Sequence, residues 1–222
     1  MAMTETETKK ETGTPPYWVS RMFSDIYDIN DDPAGQHALE ACAVSKMLEA
    51  NSSLGAPLVA LPNMLQEPCR TDYLTNMLST FKNVGMVRHN EQYVAQMPED
   101  YVAPLAALFA DGVHRELGVE LVSNGVGRYI HYRGTGAHHF IHVDNPSFGD
   151  ATALVVLDYV PPTEPNTGSP TETRFVTSSG VQSFRSEPGN AVVFDGRYLP
   201  HGRTPLCEGE TVTIALLGMM RK

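Results

Sequence analysis

The amino-acid sequence predicts an α+β domain, a helical layer followed by short strands that close into a sandwich or jelly roll. Two observations carry this reading. Before Gly118 the apolar residues recur at helical spacing, and after it they gather in short runs rich in β-branched and aromatic residues. Turn signals separate those runs: Ser123-Asn124-Gly125, Gly134-Thr135-Gly136, Pro161-Pro162 and Pro188-Gly189-Asn190. A chain of 222 residues suits one domain with a substantial core. We place it at 17–222, with helices over 17–117 and the strand core over about 118–219.

Residues 1–16 are polar, end in Pro15-Pro16 and read as a disordered tail. Tyr17, Trp18, Phe23 and Tyr27 suggest a short helix over 17–30. Asp31-Asp32-Pro33 starts a second helix, whose apolar stripe runs through Ala38, Leu39, Cys42, Ala43, Met47 and Leu48. Leu58–Leu61 is a first strand. The spacing of Tyr73, Leu74, Met77 and Leu78 predicts a helix over Arg70–Phe81, and Val102, Leu105, Leu108, Phe109 and Val113 predict another over 101–117. His114 near its end reads as a surface residue. The expected strands are Val119–Val122, Gly127–Tyr132, His138–Asp144, Ala153–Val160, Thr173–Thr177, Ala191–Phe194 and Thr211–Leu217.

Composition narrows the function classes. A hydrophobic share of 41% with 19% charged residues belongs to a globular chain. A net charge of −10 disfavours nucleic acid as a partner. Cys42, Cys69 and Cys207 are widely spaced and odd in number, which fits neither a disulfide framework nor a zinc CxxC pattern and points to a reducing, cytoplasmic setting. Neither a signal core nor a membrane-length apolar run is present. Nothing in the chain sets an oligomeric state.

The chemistry concentrates in Ala137–Asn145. In an extended strand His138, Phe140, His142 and Asp144 share one face. His142 and Asp144, joined by His201 from a later strand end, make the two-His, one-carboxylate set of non-haem Fe(II) oxygenases, which leaves coordination positions open. The His-x-Asp tripeptide is weak evidence alone, expected about 0.4 times by chance from composition. Context strengthens it: the pair ends one strand, a buried strand follows, and His201 comes after Ala191–Phe194.

Further residues follow a known order. Tyr132, Gly136 and His142-Val143-Asp144 precede Ala153–Val160. After these come Glu172–Phe175, Glu187–Phe194, and His201-Gly202-Arg203-Thr204-Pro205-Leu206 with Gly209. Over about residues 55–219, including an entry segment at Leu58–Cys69, the chain resembles the Fe(II)/2-oxoglutarate-dependent dioxygenases, in particular their prolyl 4-hydroxylase-like branch. The resemblance implies a double-stranded β-helix and iron held by His142, Asp144 and His201. It implies 2-oxoglutarate and O₂ as cosubstrates, with ascorbate as an auxiliary reductant. The chemistry implied is hydroxylation of an unactivated C–H bond in a small molecule, amino acid or peptide side chain. Desaturation, cyclisation and epimerisation use the same triad.

One departure stands out. Where the family sets Arg or Lys about ten residues after the distal His, to hold the far carboxylate of 2-oxoglutarate, this chain has Thr211. A buried dicarboxylate needs a cation. Arg203, two residues past His201, is the leading candidate, with a surface salt bridge as its plainer role. Arg128, Arg133, Arg174 and Arg197 are alternatives, and Tyr132, Thr211 and Thr213 are hydroxyl donors. The departure keeps open a jelly-roll metal-binding protein, or an Fe(II) oxygenase without 2-oxoglutarate. His138 is the candidate substrate contact, while His131 and His139 read as polar strand residues. Asn145 reads as closing a turn, Asp158 as a weaker candidate for orienting a ligand, and the cysteines as unreactive. The Pro161–Pro170 loop and segment 84–98 are candidate lids.

Overall fold

The computed structural model describes residues 54–84, 87–89, 92–163 and 170–222, together with 46, 49, 50 and 52. The expected tail and almost all of the helices expected before residue 50 lie outside the described residues, as do 164–169 of the first lid candidate.

Two helices, α1 (Cys69–Val84) and α2 (Glu99–Leu117), stand among the described residues with eleven strands. These are β1 (Leu58–Leu61), β2 (Val87–His89), β3 (Gln92–Gln96), β4 (Leu121–Arg133), β5 (His139–His142) and β6 (Ala151–Val160). β7 (Glu172–Thr177), β8 (Gly180–Arg185), β9 (Ala191–Phe194), β10 (His201–Arg203) and β11 (Thr211–Arg221) follow. A seven-stranded sheet runs β1-β9-β6-β11-β4-β3-β2 and faces a four-stranded sheet β5-β10-β7-β8. Every strand pairing within them is antiparallel. Among the described residues no helix is long and apolar enough to cross a membrane.

Strand alternation divides the core in two. Ala153, Val155, Ala215 and Leu217 face outward onto Val102, Leu105 and Phe109 of α2 and Tyr73 and Met77 of α1. Leu154, Val156, Val212 and Ile214 face inward onto Phe175 of the smaller sheet and Phe194. β6 and β11 are therefore apolar on both faces, which is why their sequences read as near-continuous runs. The helix α2 ends where Gly118 turns left-handed at φ 69° and returns its N–H to the His114 carbonyl.

Two expectations need correction, and one strand was not expected. Val119–Val122 and Gly127–Tyr132 are one strand, because Ser123-Asn124-Gly125 makes a bulge within β4 and does not reverse the chain. The register passes from Leu217↔Gly127 to Met219↔Ser123 across it. Ser123 Oγ accepts the Gly125 N–H and Asn124 Oδ1 the Val126 N–H, so the bulge satisfies its own backbone. Segment 84–98 carries β2 and β3 at the sheet edge, with Gln92–Gln96 paired to Tyr132–Arg128. β8, a polar edge strand, had no sequence signal strong enough to mark it.

Candidate metal centre

The smaller sheet brings the two imidazoles together by direct pairing, since His142 at the end of β5 lies opposite His201 at the start of β10. Asp144 follows two residues after His142. One ligand atom from each of the three lies within 4.8 Å of the others, and Asp144 Oδ1 is 3.6 Å from Nε2 of either histidine. Asp144 is fixed from both ends. Its N–H donates to the Gly196 carbonyl (2.7 Å), and the Thr152 hydroxyl donates to Oδ2. Gly196 is required here by close approach, because a Cβ on it would lie 2.0 Å from Asp144 Oδ2.

His201 is buried beside Phe194 (ring centroids 4.5 Å) and Phe175 (5.9 Å). A carbonyl can only accept, so the 2.9 Å contact of His201 Nδ1 with the Leu199 carbonyl puts the ring proton on Nδ1 and leaves the Nε2 lone pair facing Asp144. Burial pushes the His201 pKa down to about 4, against the pull of Asp144. Burial alone would raise the Asp144 carboxyl, but His201, His142 and the Thr152 hydroxyl outweigh it and hold the acid below its ordinary value. At neutral pH a carboxylate and a neutral imidazole thus aim lone pairs at one point, with the second imidazole alongside. That donor set fits a divalent iron centre.

The triad opens onto a cavity of about 50 Å³, room for about four water molecules. Ile130, Leu154, Phe194 and Ile214 wall it together with the buried Arg203 and Tyr132. Arg203 is 2% exposed and donates to Ser186 Oγ (2.8 Å) and Thr173 Oγ1 (2.9 Å), with its guanidinium 5.0 Å over the Tyr132 ring. It is a buried cation of the cavity, so a surface salt bridge does not describe it. Burial pushes the Tyr132 hydroxyl up, with Arg203 opposing.

Other candidates fall elsewhere. His138 does not line the cavity and turns Nδ1 to the Gly136 carbonyl (2.7 Å); His139 takes the place expected of it. The cause is a bulge, since His201↔His142 and Arg203↔His139 set a step of three residues on β5 against two on β10. His139 meets His142 edge-on at 4.1 Å, and its Nδ1 contacts the Gln92 amide nitrogen, which also donates to the His138 carbonyl (2.8 Å). Thr211 and Thr213 do not line the cavity either. Alternation along β11 turns Ile214 and Leu216 inward, while Thr213 bonds His131 Nδ1 at 2.9 Å. Arg174 and Arg197 meet Glu172 and the pair Asp150 and Asp195; Arg133 is exposed. Asn145 caps the turn at Pro146–Phe148 through the Ser147 N–H. Gln92, His139, Thr152, Thr173, Ser186 and Gly196 serve the site with no motif to mark them. Only His139 and Thr173 had a sequence cue, their places in expected strands.

No protein-family model matches the sequence, and no curated protein does. Solved structures do. A prolyl hydroxylase from Trichoplax adhaerens, in complex with a hypoxia inducible factor oxygen degradation domain peptide fragment, superposes with a TM-score of 0.56 at 18% identity, covering 80% of this chain and 90% of that one. The fold is that of the 2-oxoglutarate-dependent Fe(II) oxygenases. A Pseudomonas putida prolyl-4-hydroxylase gives 0.53 at 16% identity over 82% of this chain and 100% of that one. The non-heme alpha ketoglutarate dependent epimerase SnoN of nogalamycin biosynthesis gives 0.60 at 15% over 80% and 83%.

Proposed function

We propose that this protein is an Fe(II)- and 2-oxoglutarate-dependent oxygenase that hydroxylates an unactivated C–H bond of a small molecule, amino acid or peptide side chain. The observation that carries the reading is that Arg203 stands buried in the wall of the same cavity that His142, Asp144 and His201 line. One cavity thus offers metal donors and a buried cation, the two kinds of group that a dicarboxylic acid chelating a metal needs. A cation supplied by β10 answers the absence of one at Thr211, and so favours the 2-oxoglutarate reading over metal binding alone.

His142, Asp144 and His201 would hold the iron. With 2-oxoglutarate and O₂, the bound iron supplies an oxidation in which one oxygen atom enters the substrate C–H bond and the other enters succinate as CO₂ leaves. Arg203, steadied by Thr173 and Ser186, would pair with the far carboxylate. Asp144 stands where a halide would be needed, which favours hydroxylation over halogenation. Ile130, Leu154 and Ile214 keep water from the reacting centre and strengthen each charge within it.

Succinate release and O₂ uptake with Fe(II) and 2-oxoglutarate test the reading. Both are expected in the wild-type protein, and both should be lost in His142→Ala and Asp144→Ala. Unchanged turnover in either variant refutes it.

A further inference from the structure

We propose that Arg128 anchors an oxyanion of the substrate, so that the site takes a small molecule carrying a carboxylate or phosphate; this rests on the oxygenase reading above. Arg128, Ile130 and Tyr132 alternate onto one face of β4, and β11 sets Leu216, Ile214 and Val212 beside them in register. Ile130, Tyr132, Ile214 and Leu216 line the cavity, which makes this face its floor. Tyr132 and Ile130 are buried, Leu216 is half-buried and Arg128 is exposed. That gradient runs from the deep end to the mouth, and Arg128 is its outermost step.

The guanidinium is held 5.2 Å over the ring of Phe148, in the turn that follows Asp144. It therefore bridges the floor and the segment that carries a metal ligand. Leu216 pairs in turn with Leu154 of β6, two residues from Thr152, whose hydroxyl holds Asp144. Two strand spacings, about 10 Å, separate β4 from β6 at this level. Arg128 therefore shares the inward face of β4 with cavity-lining residues and reaches the turn that follows Asp144.

Arg70, Arg174 and Arg197 are each paired with carboxylates. Among the described residues no carboxylate lies within ion-pair distance of Arg128. A fork of N–H donors at the mouth, in a chain of net charge −10, marks where an anion is received. With the triad and Arg203 taken up by iron and cosubstrate, the substrate body lies toward the mouth, along Leu216 and Arg128.

To test this, small molecules extracted from cells are split by anion exchange at neutral pH, and each pool is added to the wild-type protein with Fe(II) and saturating 2-oxoglutarate. Succinate released above the unstimulated rate should come from the anionic pool. Amidation should remove a carboxylate substrate's response and phosphatase a phosphate's. In Arg128→Gln the half-saturating dose should rise about ten-fold or more with the maximal rate less affected. Arg128→Lys should recover part of the loss, and Arg115→Gln on α2 should change nothing. Stimulation by the non-anionic pool alone, by neither pool, or equally in Arg128→Gln overturns the proposal. Absence of any succinate release from the wild-type protein overturns the oxygenase reading along with it.

Discussion

Gly196→Ala is the sharpest test of how the metal site is built. Its backbone conformation is open to alanine, because Gly196 is not among the positive-φ glycines. The obstacle is space. The new methyl would stand 2.0 Å from Asp144 Oδ2 and 2.8 Å from Thr152 Oγ1. A real contact needs about 1.5 Å more, and the backbone bond from Asp144 N–H to the Gly196 carbonyl prevents the two segments from simply parting. The carboxylate must therefore rotate, which breaks the Thr152 bond and the equal 3.6 Å approach of Oδ1 to both histidines. Disturbing the groups that orient a ligand lowers metal affinity roughly 10- to 100-fold, or about 1.4 to 2.8 kcal/mol. Calorimetric titration of the metal-free protein with Fe(II) under nitrogen measures this, and a thermal melt without metal confirms that the variant folds. A folded Gly196→Ala protein that binds Fe(II) as tightly as wild type would refute the account of Asp144.

Two further predictions address the cavity and the sheet. Arg203→Met keeps the bulk of the side chain but removes its charge and its bonds to Thr173 and Ser186. Anaerobic titration should show 2-oxoglutarate binding weakened by about 3 kcal/mol, roughly 100-fold, with Fe(II) binding retained; equal loss of both would place Arg203 in the framework. His131 lies half-buried, with its pKa lowered chiefly by burial and also by Arg133, against Asp158. The unfolded chain then takes up a proton first as the pH falls, so this contribution to stability is present above about pH 6.5 and lost below it. Urea midpoints at pH 7.5 and 5.5 should differ less in His131→Gln than in wild type, and an equal difference in both refutes it.

Much of the site was legible because its donors come from chemically distinctive residues at strand ends. His142, Asp144 and His201 are named by type and spacing, and alternation from His201 carries Arg203 to the cavity. The same rule misled on β5. A strand pattern assumes an unbroken period of two, and one extra residue shifts every side chain beyond it to the other face. His139 and His138 exchanged places for that reason. Thr211 and Thr213 were candidates through family position, yet β11 has its own alternation, and Ile214 and Leu216 hold the inward face.

By itself the sequence determined the class of fold, the two described helices, the apolar strands and the three residues that form the candidate metal centre, because these depend on periodicity and on side-chain chemistry local to the chain. Tertiary structure alone decided the bulges in β4 and β5, the buried state of Arg203 and the space that Gly196 leaves for Asp144. Each of these arises where two segments far apart in sequence meet. Their register, and the room left between them, is a property of the pair and of neither segment alone.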